Sequence, residues 1–115
     1  MAEYYHKPKV SIVTSTYNRA EIIRHAINSV MAQDFQEWEM CVVGDCTPDD
    51  TADSVASYGD PRLHFYNLKE KSPPGSHGAI AKNHAIFRMA CAPYIAYLDD
   101  DDIYRPDYLS TMMRY

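Results

Sequence analysis

Four consecutive aspartates, Asp99–Asp102, directly follow an apolar segment that runs from Tyr94 to Leu98. Neighbouring ionised carboxylates repel one another, so each one makes the next harder to ionise. The run is tolerable if a divalent cation lies among its oxygens, because carboxylates are ligands that Mg²⁺ and Mn²⁺ prefer. A solvated turn whose last aspartate caps the next helix explains the run equally well. The pattern therefore predicts either a cation site or a capped turn.

Other polar residues occupy similar places in the chain. Ser15, Thr16 and Tyr17 come at the end of one β-branched run, and Asp45 ends a second apolar run. Lys82 lies in a helix-like segment that follows a loop rich in proline and glycine. Each residue taken alone has an ordinary explanation, as a turn, a turn acid or a solvated helix face. Their shared placement is what makes them candidate site residues.

The elements that must position these residues alternate along the chain. Strand-like runs cover 9–15, 38–45, 62–68 and 93–99, and helix-like patterns cover 18–33, 49–59, 79–90 and 106–115. This order predicts an α/β fold with a mostly parallel sheet and helices on both faces. In the third helix, the apolar residues Ile80, Ile86, Phe87 and Ala90 are predicted core contacts. Ligands of such sheets bind beyond the carboxyl ends of the strands, where the candidate residues fall.

The composition excludes several classes of protein. The 115 residues are 46% hydrophobic and 23% charged, which is typical of one globular domain. A net charge of −5 argues against a nucleic-acid partner. No apolar run approaches the roughly 20 residues of a transmembrane helix, and the N-terminus lacks a signal-peptide pattern. Three cysteines without a CxxC pair favour a reducing, cytoplasmic location, with peripheral membrane contact left open.

Four segments, in this order, resemble a known family. They are "VSIVTSTYNRAEIIRHAINSVMAQDFQEWEMCVVGDCTPDDT", "DPRLHFYNL", "GAIAKNHAI" and "YIAYLDDDDIYRPDYL". Together they are similar to the N-terminal half of a family 2 glycosyltransferase with a GT-A fold, from about Lys9 to Leu109. The resemblance implies a Rossmann-like sheet in the order 3-2-1-4. It also implies a nucleotide-diphosphate-sugar donor, most often a UDP-sugar, a divalent cation (Mg²⁺ or Mn²⁺) and transfer of the sugar to an unknown acceptor.

The resemblance also implies roles for individual residues. Ser15, Thr16 and Tyr17 match the segment that lines the nucleobase and ribose pocket, and Asp45 matches the acid near the uracil. The DxD motif of the family falls on Asp99–Asp101. Asp101 is then the expected direct metal ligand, together with Asp99, and Asp100 is expected near the ribose or the metal. Asp102 is expected to support the metal site from outside or to cap the last helix.

Three departures from the family pattern bear on these roles. Gly44 stands where many relatives carry an aspartate before the acid at 45. Lys82 replaces the arginine of an "AARN"-like segment, so it keeps the charge expected to meet a phosphate but loses the bidentate fork. The loop 71–78, with two prolines and His77, is atypical and is a candidate for setting donor preference.

Residues 1–115 are therefore expected to form the donor-binding half of a GT-A domain, with the acceptor half absent. The catalytic base is expected beyond Tyr115, so this part alone is expected to be inactive. The open sheet edge of such a half leaves self-association as a homo-oligomer open.

Other classes of function compete with this interpretation. A non-catalytic module that binds nucleotide sugars would share its donor-side residues. An aspartate-dependent phosphotransferase fits less well, because its nucleophilic aspartate should follow the first strand. An EF-hand is disfavoured because "DDDDIYRPDYLS" lacks the alternating ligands and central glycine.

Overall fold

A computed structural model of the chain describes residues 7–76 and 78–114, so His77 and Tyr115 of the predictions lie outside the described residues. The strands β1 (Val10–Thr16), β2 (Trp38–Gly44), β3 (Leu63–Asn67) and β4 (Tyr94–Tyr97) form a parallel sheet. Their order is β3-β2-β1-β4, which confirms the predicted order and the α/β class.

The register of the sheet brings the candidate segments to one edge. β1 pairs with β2 from Val10↔Trp38 to Thr16↔Gly44, and with β4 from Val10↔Tyr94 to Val13↔Tyr97. All of these pairs are parallel, so the residues after β1, β2 and β4 leave the sheet on the same side. The order of strands places the ends of β1 and β4 next to each other. This is the edge where open α/β sheets bind ligands.

The helices are shorter than the sequence predicts. They are α1 (Ile23–Met31), α2 (Thr51–Ala56), α3 (Ala79–His84) and α4 (Tyr108–Met112). α1 begins five residues later than the pattern suggested, because Asn18 turns the chain with φ of 55°. α3 continues as a π-helical turn over Ala85–Met89, where the Ala90 N–H donates to the Ala85 carbonyl. No helix in the described part of the chain is long and apolar enough to cross a membrane.

Alternate residues of the central strands face two separate cores. On one face, Ile12 and Met40 pack with Ile23 and Ile27 of α1. On the other face, the buried residues are Val13, Cys41, Val43, Ala81 and Ala85. Burial raises the pKa of the Cys41 thiol to about 12, the largest cause being desolvation, so this cysteine is an inert packing residue.

The predicted core face of the third helix is only partly right. Ile86 and Ala90 pack against the second core, but Ile80 and Phe87 are exposed to 44% and 78%. Ala81 and Ala85 take the buried stripe instead, one helical turn apart. These small side chains let the helix lie close to the sheet, and Ile80 and Phe87 then lie on other sides of it.

Candidate functional site

A cleft of about 530 Å³ opens at the carboxyl edge of the sheet. It brings together every residue that the sequence analysis assigned to a donor or metal site: Ser15, Thr16, Tyr17, Asp45, Lys82, Asp99, Asp100 and Asp101. The loop after β3 forms another part of the wall, through residues 71–76 and Gly78. The cleft is therefore bounded by carboxylates at two places and by a proline-rich loop.

Asp100 points into the protein, unlike its neighbours. It is 9% exposed, and its Oδ2 accepts a hydrogen bond of 2.8 Å from the Thr16 hydroxyl. The Arg19 guanidinium lies 3.3 Å from its Oδ1. Burial raises the pKa of Asp100, and the Thr16 hydrogen bond and the Arg19 charge offset only part of that effect. The end of β1 thus fixes the aspartate run through one of its members.

The other members of the run face outward. Asp99, Asp101 and Asp102 are exposed, and one carboxylate oxygen from each lies within 4.8 Å of the others. Such a set of hard oxygen donors fits Mg²⁺ or Mn²⁺, which keep water or substrate oxygens in the rest of their shell. Lys82 Nζ lies 3.8 Å from Asp99 Oδ1, so a positive charge borders the cluster.

Asp102 was expected to support this site or to cap the last helix, and the capping role is wrong. Asp107 is the N-cap residue of α4, and Asp102 lies five residues earlier in the chain. The run itself forms a turn, in which the Asp102 N–H donates to the Asp99 carbonyl at 3.1 Å, and this turn puts Asp102 beside Asp99 and Asp101 instead. A capping role requires helical hydrogen bonds to begin within three residues of the side chain, and α4 begins too late for that.

Asp45 is held by the loop that follows β3. Its Oδ1 accepts from the backbone N–H and the hydroxyl of Ser72, at 2.9 and 2.7 Å, and Lys71 Nζ donates to its Oδ2 at 3.1 Å. Desolvation would raise the pKa of this carboxyl, but the Ser72 hydrogen bonds and the Lys71 charge hold it below its ordinary value. The Lys71 ammonium also lies 4.5 Å from the centre of the Tyr17 ring. Asp45 therefore holds the loop after β3 against the end of β2 at the floor of the cleft.

Gly44 has no room for a side chain. A Cβ at this position would lie 2.7 Å from Asn67 Oδ1 and 2.9 Å from Thr47 Cγ2. Asn67 fills that space because its amide bonds the backbone N–H and carbonyl of Thr47, at 2.9 and 3.0 Å. The aspartate that the family resemblance leads one to expect at 44 is absent. Asn67 of β3 occupies the space beside Gly44 and braces the turn after β2.

Sequence reasoning missed Arg19, and it named the loop 71–78 without assigning a role to Lys71 or Ser72, although all three residues line the cleft. All of them lie in loops that follow β1 or β3, at the same edge as the predicted residues. Their positions after strands were the available signal. The side-chain contacts that bring them to Asp45 and Asp100 connect residues 26, 27 and 81 positions apart, which no local pattern reveals.

Known proteins share both the sequence and the fold of this chain. A protein named for teichuronic acid biosynthesis, the glycosyltransferase TuaG of Bacillus subtilis (strain 168), is 37% identical over 111 residues. The GalNAc(5)-diNAcBac-PP-undecaprenol beta-1,3-glucosyltransferase of Campylobacter jejuni is 34% identical over 110 residues. These matches cover 95% and 93% of this chain but 42% and 34% of the relatives, so the chain spans less than half of their length.

Two solved structures have the same architecture. S. aureus TarS 1–349 superposes with a TM-score of 0.83 at 28% identity, over 92% of this chain and 31% of that one. TarS has also been solved in complex with UDP-GlcNAc. The mannosyltransferase PcManGT from Pyrobaculum calidifontis, in complex with GDP-Man and Mn²⁺, superposes with a TM-score of 0.76 at 25% identity, over 96% and 32%. These likenesses, with the sheet order, confirm the predicted Rossmann-like GT-A fold class.

The model of the family described as glycosyl transferase family 2 matches residues 11–115. That range includes β2, β3, β4, all of β1 except Val10, and every residue of the cleft. The chain belongs to glycosyl transferase family 2.

Proposed function

We propose that this chain binds the nucleotide-sugar donor of a glycosyltransferase, with a UDP-sugar as donor and Mg²⁺ or Mn²⁺ as cation. The observation that carries the proposal is the cleft itself, which joins Asp45 at one end to the outward-facing aspartates at the other. The likeness to TarS, solved with UDP-GlcNAc, and to PcManGT, solved with GDP-Man and Mn²⁺, supports this class of donor. The sugar acceptor and a cytoplasmic location stay predictions.

The nucleobase is proposed to bind at the Asp45 end of the cleft. Tyr17 is 42% exposed there and offers an aromatic face, while Ser15 and Thr16 line the path toward the aspartates. Asp45 Oδ2 accepts one hydrogen bond, from Lys71, and so keeps an acceptor position for the N3–H of uracil. Guanine and adenine present different edges to this position, which favours a uridine nucleotide.

The diphosphate is proposed to bind at the aspartate end. Asp101 and Asp99 would hold the cation, Asp100 would stay in its contact with Thr16 near the ribose, and Lys82 would border the phosphates. When bound, the cation supplies positive charge that neutralises the departing diphosphate as the acceptor hydroxyl attacks the anomeric carbon. We propose donor-side roles for these residues, and none of them is proposed as the catalytic base that takes the proton of that hydroxyl.

Titration of UDP in the presence of Mn²⁺ or of a chelator tests this assignment. Carboxylates alone repel a diphosphate, so UDP and Mn²⁺ should each tighten the binding of the other by the same factor. Uridine lacks the diphosphate and should bind with an affinity that the chelator does not change. Asp101→Asn should remove most of the coupling between UDP and metal.

Asp107→Asn is the matched control, because Asp107 is an exposed aspartate of the same segment that pairs with Arg105. It should leave the coupling intact. Equal UDP affinity with Mn²⁺ and with chelator in the parent chain would show that the aspartates form a solvated turn. A comparison of UDP with GDP in the same assay checks the choice of base.

A further inference from the structure

Arg19 makes ion pairs with two members of the aspartate run. Its Nη1 lies 3.3 Å from Asp100 Oδ1 and 3.2 Å from Asp101 Oδ2. Among the described residues, Arg19 is the cationic side chain that pairs with both carboxylates. One guanidinium therefore lies between the inner and the outer aspartate and offsets charge that a bound cation would otherwise offset.

The backbone on both sides of Arg19 is fixed by the loop that follows β2. The Asn18 N–H donates to the Thr47 hydroxyl at 2.8 Å, and the Ala20 N–H donates to Asp49 Oδ2 at 3.1 Å. The Thr47 hydroxyl in turn donates to Asp49 Oδ1 at 2.8 Å, which links the two anchors. The start of the Arg19 side chain is thus held in place, and its contacts are set by the fold rather than by a free loop.

The two contacts of Arg19 differ in their surroundings. The Asp100 side chain is 12% exposed and is also bonded to Thr16, so its pairing with Arg19 is shielded from water. The Asp101 side chain is 55% exposed, and an ion pair at that exposure contributes little by itself. A cation that enters the cluster should therefore break the contact with Asp101 and leave the contact with Asp100.

We propose that Arg19 is a built-in counter-cation of the aspartate cluster, a positioning residue that neutralises Asp100 and Asp101 until a divalent cation binds and then releases Asp101. This inference rests on the proposed function, because it assumes that Asp101 is a metal ligand. Arg19 would keep neighbouring carboxylates in place when no metal is bound, at the cost of weaker metal binding. Metal affinity should then be low until a nucleotide diphosphate supplies further ligands.

The expected size of the effect follows from the charges involved. A unit positive charge about 6 Å from a divalent ion in a water-like dielectric weakens its binding by roughly tenfold, and physiological salt reduces this to roughly threefold. Loss of Arg19 should therefore tighten Mn²⁺ binding three- to tenfold, with the larger factor at low salt. A residue with a merely structural role would give the opposite result, because a disordered cluster binds metal less well.

The test is a titration of Mn²⁺, without nucleotide, into the full chain, followed by the paramagnetic resonance signal of free Mn²⁺. Arg19→Met should bind Mn²⁺ three- to tenfold more tightly than the parent, and Arg19→Lys, which keeps the charge, should stay close to the parent. Lys9→Met is the matched control for net charge. Lys9 precedes β1, at the opposite end of the sheet from the cluster, so this variant should bind Mn²⁺ like the parent.

The outcomes distinguish a failure of this inference from a failure of the proposed function. If the parent binds Mn²⁺ and Arg19→Met binds it equally or more weakly, the counter-cation role is overturned and the donor-site proposal stands. If the parent and Arg19→Met both fail to bind Mn²⁺ at millimolar concentrations, the metal assignment and this inference fall together. A threefold or larger gain in Arg19→Met that shrinks with added salt supports the inference.

Discussion

Replacing Gly44 with alanine should destabilise the fold through a contact that can be traced atom by atom. The added Cβ would lie 2.7 Å from Asn67 Oδ1, 2.9 Å from Thr47 Cγ2 and 3.1 Å from Phe65 Cζ. The Phe65 ring can tilt away, because only its far end is involved. Asn67 cannot move without losing its two hydrogen bonds to the Thr47 backbone. The clash therefore falls on the side chain that braces the turn after β2, which begins at Asp45.

The magnitude follows from these contacts. Two hydrogen bonds contribute about 1 kcal/mol each, and overpacking a close site costs about 1–3 kcal/mol. Gly44→Ala should lower the free energy of unfolding by roughly 2–4 kcal/mol. This is less than the sum of both costs, because the loss of the hydrogen bonds lets Asn67 move and relieves part of the clash. Asn67→Ala alone should cost about 2 kcal/mol for the same two bonds. In the double variant those bonds are lost only once, so the two effects should fall short of their sum by about 1–2 kcal/mol.

Equilibrium unfolding in urea, on the parent and the three variants, measures this coupling. The m-value should not change, because the surface exposed on unfolding is nearly the same. If the two single effects add within about 0.5 kcal/mol, Asn67 is not the group that excludes a side chain at 44, and the reasoning is refuted.

Two further predictions concern residues that line the cleft. Gly78→Ala should destabilise the chain more than Gly75→Ala in urea. Both glycines have positive φ, at 79° and 88°, but a Cβ at 78 would lie 2.6 Å from Ser15 Oγ, whereas a Cβ at 75 would have nothing within 4 Å. Equal losses of stability would mean that only backbone strain matters. Asp45→Asn should flatten the acid side of the stability profile: the pKa of Asp45 is lowered in the folded state, so its contribution is complete above the unfolded pKa of about 4 and is lost as the pH falls through the folded value. Thermal unfolding between pH 6 and pH 2.5 checks this, and an unchanged profile in the variant would contradict the assigned hydrogen bonds.

The sheet was predictable because its central strands carry an unambiguous signal. Every residue of β2, and all but Ser15 of β1, is buried, which agrees with the apolar run of β2 and the β-branched run of β1. β3 and β4 are edge strands in the described chain, and their side chains are largely exposed or half-buried. Alternation of strands and helices gave the parallel class, while the order of strands came from the family resemblance and not from any local pattern.

The errors share a physical cause, which is that helix ends and helix faces depend on tertiary contacts. The Ile80 and Phe87 side chains are as hydrophobic as core residues, but Ala81 and Ala85 take the fully buried positions against the sheet. The beginning of α1 was misplaced because Asn18 takes a left-handed conformation, in which its N–H meets Thr47 from another loop. Periodicity along one segment contains neither piece of information.

The shared location of the candidate site residues was predictable to the extent that strand ends determine it. Asp45 and Asp99–Asp101 could be assigned to one edge because parallel strands bring their carboxyl ends together. The sequence could not show that Asp100 turns inward to Thr16 while Asp102 joins the outward-facing group. Which face an aspartate takes depends on the turn after β4, and four identical residues in a row give no basis for choosing among them.

The two ends of the cleft differ in how far the chain satisfies its own polar groups. At the end proposed for the nucleobase, Asp45 already accepts three hydrogen bonds from Ser72 and Lys71, so the loop is held before any ligand binds. At the other end, the exposed aspartates have one guanidinium and one ammonium group to offset their charge. A preformed end binds with little loss of conformational freedom, whereas the charged end needs a divalent cation to offset its negative charge before it can accept phosphates. The nucleoside should therefore be recognised by a rigid surface, and metal dependence should arise only for ligands that carry the diphosphate.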